Sequence, residues 1–216
     1  WFLTVALGTS AGIVWPLRSL YYRAPWIGLS LQQIGWLGFV QAVTTSAVPI
    51  IVGVLSDGSG RRKPWIVTGL ALSAAATGLH LASRGFWSLA AVTFALAASS
   101  VAYSLNLSAL VTTTLHDGSR GKQYGMYRVS GSVGFAVTSL CLLPFVARDT
   151  SYATAFLSGA VIYLGCALFA RARIQEPSAR ESVASPWGAW RDVLQERNLV
   201  VLYACVAFGS VGGSMG

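Results

Sequence analysis

Long apolar runs separated by short polar segments set the rhythm of this chain. A helix needs about 20 apolar residues to cross a hydrocarbon core about 30 Å thick. The runs predict a first span over 1–22, a second over 34–56, a third from Pro64 to near Ser83 and a fourth from Phe86 to Thr114. A fifth runs from Gly125 to Ala147, a sixth ends near Ala172, and a seventh opens at Leu199. Pro64 suits a first helical position, where its missing N–H costs nothing. Barrel strands would alternate apolar and polar residues over about ten positions. These runs are longer and apolar on every side, and helices satisfy their own backbone groups in lipid where open strands do not. The expected fold is an all-α membrane protein, a six-transmembrane-helix bundle followed by a truncated seventh span.

The connections are short: Arg23–Gln33 with Pro25 and Gly28, Asp57–Lys63, Arg84–Gly85, His116–Tyr124 and Arg148–Ser151. One is long, Arg173–Asn198, with Pro177, Pro186 and most of the acidic residues. Three segments follow: a bundle over 1–172, a linker over 173–198, and the start of a second unit over 199–216. Six spans, a linker and a new span outline one half of a two-half transporter. The chain opens on Trp1 with no basic leader and stops at Gly216 inside an apolar run, so it reads as a fragment cut at both ends.

Composition excludes a soluble domain. Charged residues are 10 % and hydrophobic ones 54 %, whereas a soluble domain carries about 25 % charged residues to make its polar shell. The net charge of +8 suggests nucleic acid, but the basic residues sit between spans, so no nucleic-acid partner is expected. Their distribution sets topology instead. The segments after spans two, four and six hold eleven Lys and Arg: Arg61, Arg62, Lys63, Arg120, Lys122, Arg128, Arg171, Arg173, Arg180, Arg191 and Arg197. The other side has four: Arg18, Arg23, Arg84 and Arg148. Cytoplasmic loops carry the positive excess, which places the N-terminus in the cytoplasm of a multi-pass protein of the cell (inner) membrane. Cys141, Cys166 and Cys205 each lie in an apolar run without metal-ligand spacing and read as small lipid- or helix-facing residues.

The most informative segment is Gly53-Val54-Leu55-Ser56-Asp57-Gly58-Ser59-Gly60-Arg61-Arg62-Lys63. Gly53 would let another helix approach closely. Asp57 stands at a helix end where it can pair with a cation, and Gly60 suits a left-handed turn. Arg61, Arg62 and Lys63 hold the segment at the cytoplasmic face. A Gly, three residues, an Asp, two residues, a Gly and then basic residues resembles the signature loop of the major facilitator superfamily. The family's basic residue directly after the Asp is replaced here by Gly58. The resemblance implies a twelve-helix fold of which this is the N-terminal half. It also implies a loop that latches the two halves and governs the switch between outward- and inward-facing states.

A second stretch, Tyr124-Gly125-Met126-Tyr127-Arg128-Val129-Ser130-Gly131-Ser132-Val133-Gly134-Phe135, is similar to one in a subset of that superfamily related to proton-coupled nucleoside and sugar symporters. Gly131 and Gly134, with Ser130 and Ser132, give a small-residue face for close helix packing. Arg128 is either a snorkelling interfacial cation or part of a charge cluster near Asp57. Span four lacks the Arg of many proton-coupled members, and span five lacks the Gly-Pro-x-x-Gly-Gly stretch of the drug antiporters.

Polar residues inside spans face a cavity or another helix. Ser99, Tyr103 and Asn106 fall at i, i+4 and i+7 on one face of span four. Tyr103 and Asn106 are candidate pathway residues, with helix-to-helix hydrogen bonding as the alternative. Gln41 and Thr45 form a similar pair in span two. Arg18 either meets an anionic substrate group or snorkels. His80 reads as an interfacial residue, and Pro16 and Pro49 as bends in spans one and two. No carboxylate lies deep in spans one to six, so either a coupling proton acceptor lies beyond them or the protein is a uniporter. No phosphate-cradling Gly-rich loop with Lys-Ser/Thr is present, nor any catalytic or metal-binding constellation. Neither an enzyme nor a cofactor is expected. The implied activity is secondary transport of a small organic solute by alternating access, with proton symport as its coupling. A non-transporting assembly factor of the same fold and a drug efflux antiporter are the alternatives. The expected partners are the solute, membrane lipid and the missing C-terminal half.

Overall fold

The structure, a computed structural model, describes residues 1–115, 118–146 and 152–176. The linker beyond Glu176 and the seventh span lie outside the described residues, as do Asp117, Arg148 and Cys205. Six helices make up the described chain: α1 (Phe2–Arg23), α2 (Leu31–Ser59), α3 (Lys63–Leu79), α4 (Phe86–Thr114), α5 (Arg120–Val146) and α6 (Tyr152–Arg173). No strand occurs among the described residues.

Polar residues extend the helices past their apolar runs. Ser30 and Gln33 form a reciprocal capping box, with Gln33 N donating to Ser30 Oγ at 3.2 Å and Ser30 N donating to Gln33 Oε1 at 3.0 Å. The cap satisfies two otherwise orphaned donors and starts α2 at Leu31, ahead of Ile34. At its other end α2 continues through Asp57 to Ser59. The expected loop over 57–63 therefore shrinks to residues 60–62. Lys63 and not Pro64 opens α3, with Arg62 as its N-cap. α3 also stops at Leu79, short of Ser83. α5 opens at Arg120, five positions before Gly125, where Gln123 reaches back to Ser119 through N–H···O at 3.0 Å and Nε2–H···Oγ at 2.7 Å.

The expectation of six self-sufficient spans is narrowed. α2, α4 and α6 are long and apolar enough to cross a membrane on length and composition alone. α3 has only 17 residues, and α5 begins with the polar stretch Arg120 to Gln123. Large apolar residues nevertheless stand exposed on the bundle exterior, among them Leu72 on α3 and Leu157, Val161 and Leu168 on α6. In water such a surface would be an aggregation liability; in lipid it is the solvated face.

The interfaces are α1–α5, α1–α6, α3–α6, α3–α4 and α2–α4. Exchanging α1 with α4, α2 with α5 and α3 with α6 maps this set onto itself. That is the pattern of two three-helix repeats. The consecutive helices α1 and α2 share no extended interface.

Glycines set the closest approaches. A Cβ on Gly12 would stand 2.6 Å from Phe135 O, and one on Gly134 would stand 2.5 Å from Val5 O. A Cβ on Gly8 would collide with Gly131 O. Ser130, Gly131 and Gly134 of the small-residue face expected on α5 are thus used against α1, while Ser132 is exposed; on α1, Gly8 and Gly12, four residues apart, form a close-packing pair. Gly69 brings α3 against α4, its Cβ position 2.8 Å from Tyr103 N, and Gly159 brings α6 against Val14 of α1. Among the described residues Gly53 is at no such contact: its Cβ would meet only Leu105 Cδ2, at an ordinary 3.9 Å.

Pro16 sits inside α1, where its missing N–H leaves the Gly12 carbonyl without its helical donor. Ser139 of α5 supplies one, its Oγ donating to Gly12 O at 3.2 Å. The same crossing that requires Gly12 therefore also satisfies the carbonyl.

Candidate functional site

The turn between α2 and α3 is built from the backbone outward. Gly60 caps α2 in the left-handed conformation, φ 61° and ψ 3°, which glycine adopts without steric cost. Asp57 Oδ1 pairs with Arg62 Nη2 at 3.5 Å. With the Asp57 side chain 61 % exposed, such a pair contributes at most about 1 kcal/mol to stability. Ser59 Oγ donates to Arg61 O at 3.1 Å and accepts from Trp65 Nε1 at 3.3 Å.

Glu176, three residues past α6, reaches into this turn. Its Oε1 accepts from the backbone N–H groups of both Arg62 and Lys63. These are the first amides of α3, which lack intrahelical partners and favour an anion. The turn is therefore fastened to the end of α6 as well as to Asp57. Glu176 was hidden in sequence among the acidic residues of the long polar segment. Arg128, offered as a partner of Asp57, is exposed on α5 and forms no ion pair with it.

A second cluster lies toward the opposite end of the bundle. Arg18 Nη2 on α1 donates to Gln41 Oε1 on α2, so two candidate pathway residues meet across the gap between those helices. The Arg18 guanidinium lies 5.8 Å from the centre of the Trp15 ring and 6.0 Å from that of Tyr22, within cation–π range. Thr45 instead bonds back to its own helix, at Gln41 O and Ala42 O.

His80 packs between helices at the end of α3. It is fully buried, stacked on Phe156 at 5.4 Å and on Tyr22 at 6.3 Å. Its Nδ1 lies 2.9 Å from Ala76 O, its Nε2 lies 3.2 Å from Tyr22 Oη, and Tyr22 Oη lies 3.2 Å from Thr93 Oγ1. A carbonyl accepts only, so Nδ1 of the neutral ring carries the proton and Tyr22 donates to Nε2. Tyr21 Oη donates to the His80 carbonyl at 3.0 Å. The chain ties α1, α3 and α4 together and fixes the ring beneath Arg18. Burial of a lone polar residue with helical spacing to nothing else left no sequence signal for it.

The stripe on α4 does share one face, and that face packs inside the bundle. Ser99 Oγ and Ser73 Oγ are 2.8 Å apart. Tyr103 packs on Gly69, and its ring centre lies 6.1 Å from that of Tyr163 on α6. Asn106 is buried, its amide donating to Ala102 O at 2.9 Å. Among the described residues no group of His, Cys, Asp or Glu is arranged to hold a metal.

Long apolar helices with large apolar side chains on the bundle exterior mark an integral membrane protein. The sequence profile of the Major Facilitator Superfamily matches residues 1–216, and the chain belongs to that family of membrane transporters. No curated protein matches it in sequence.

Proposed function

We propose that the protein is a secondary active transporter that moves a small organic solute by alternating access, with proton symport as its coupling. The α2–α3 turn carries the reading. Gly60 in the left-handed cap, the Asp57–Arg62 pair and the Glu176 carboxylate on the α3 amides form a fastened unit where the family places its conformational switch. In this reading residues 1–172 are one half of the transporter, 173–198 the link and 199–216 the start of the other half. The N-terminus and the α2–α3 turn face the cytoplasm of the cell membrane, supported by the clustering of Lys and Arg on that side. Arg18 and Gln41 line the pathway, since both are partly exposed at the α1–α2 gap. Tyr103 packs α4 against α3 and α6, while the buried Asn106 bonds back to its own helix.

The test uses the full-length protein in proteoliposomes and a panel of labelled sugars, nucleosides and organic acids. Asp57→Asn is expected to cut uptake at least about tenfold while leaving membrane insertion intact, because the exposed pair adds at most about 1 kcal/mol to the fold. An imposed inward proton gradient is expected to accelerate uptake. Wild-type rates in Asp57→Asn refute the switch role, and rates indifferent to the gradient refute proton symport.

A further inference from the structure

Arg18 is a cation in an apolar helix with a neutral partner. Its guanidinium lies between the rings of Trp15, one turn earlier, and Tyr22, one turn later, and reaches across to α2. Gln41 satisfies one of its donors without neutralising it. The carboxylates among the described residues are Asp57 and Glu176, both engaged at the α2–α3 turn. Asp57 lies sixteen residues from Gln41 along α2, about 24 Å at the helical rise. Among the described residues Arg18 thus has no ionic partner.

We propose that the gap between α1 and α2 at Arg18 and Gln41 is a solute site for an organic carboxylate; this deepens the transport reading and rests on it. A guanidinium fork matches two carboxylate oxygens. Because Gln41 turns its oxygen to Arg18, its amide NH2 is left to donate to the same anion. Trp15 and Tyr22 flank the guanidinium, and the chain Thr93–Tyr22–His80 holds the Tyr22 ring in place. Monoanions are favoured over phosphate dianions because the site offers one cation. Arg23, five residues on, points about 140° away around the helix.

The test measures thermal unfolding of the full-length protein against increasing lactate, benzoate, lactamide, benzamide and inorganic phosphate, alongside uptake of the labelled compounds. Each acid and its amide differ in charge and little in shape. The acids are expected to raise the unfolding temperature and the amides and phosphate not to. Arg18→Gln is expected to weaken acid binding about 10- to 100-fold, the usual loss of a hydrogen bond to a charged group. Arg18→Lys, which keeps charge but not the fork, is expected to lie between. Gln41→Leu, which spares the cation, weakens acids several-fold and keeps the site testable if Arg18 variants fail to fold. Equal responses to acid and amide, a phosphate response matching the acids, or an undiminished acid response in Arg18→Gln overturns the site. Uptake of the acids at the wild-type rate in Arg18→Gln overturns it while leaving transport intact, whereas a wild type that moves no compound of the wider panel overturns the transport reading itself.

Discussion

Substituting Gly134 with Ala tests how α1 and α5 are held. The added Cβ would stand 2.5 Å from Val5 O, 3.3 Å from Thr9 N and 3.3 Å from Val5 C, all backbone atoms. No side chain can rotate away, so the helices must part by up to about 1 Å, and a gap of that size forfeits a quarter to a half of each contact across it. Overpacking of this kind costs about 1–3 kcal/mol. Ala also raises helix propensity by about 1 kcal/mol over Gly, which masks part of the loss. Gly165→Ala on α6 removes that ambiguity, because among the described residues nothing lies within 4 Å of its Cβ position. The propensity gain is common to both variants and cancels in their difference. Gly134→Ala is therefore expected to be about 1–3 kcal/mol less stable than Gly165→Ala. Unfolding of the purified full-length protein by heat or denaturant in one detergent measures the gap. Equal stability of the two variants refutes the claim that α1 and α5 meet through their backbones at Gly134.

Two further predictions concern orphaned backbone groups. Ser139→Ala removes the donor to Gly12 O and is expected to cost about 1–3 kcal/mol, the price of a buried unsatisfied acceptor. In a Pro16→Ala background the restored N–H at position 16 reaches the same carbonyl, so Ser139→Ala is expected to be nearly neutral there; a double-mutant cycle with no coupling contradicts this account. Glu176→Ala uncovers the first amides of α3. It is expected to cost about 0.5–2 kcal/mol, as loss of a helix cap does, and to speed hydrogen exchange at Arg62 and Lys63. Unchanged exchange at both amides excludes the cap.

Sequence alone determined the class of fold, because the bilayer imposes a single length scale on apolar runs and the polar breaks between them stand out. It placed α4 at its observed bounds, paired Asp57 with a cation and put Gly60 in a left-handed turn, since each depends only on neighbours a few residues away. It also found the shared face of Ser99, Tyr103 and Asn106, which helical periodicity fixes. Which neighbour that face meets is a matter of tertiary packing. Sequence cannot say whether a polar stripe looks into a pathway or onto another helix, and here Ser99 and Tyr103 meet α3 and α6. The same limit applies to Gly53, Gly8 and Gly12, whose spacings are local but whose partners are not. His80 became a buried link, Glu176 a cap on α3 and Ser139 a donor to α1 only once distant helices were brought together. The Gly60 turn between α2 and α3 was legible in the chain; its fastening to α6, and the meeting of Arg18 with Gln41 between α1 and α2, were decided by the fold.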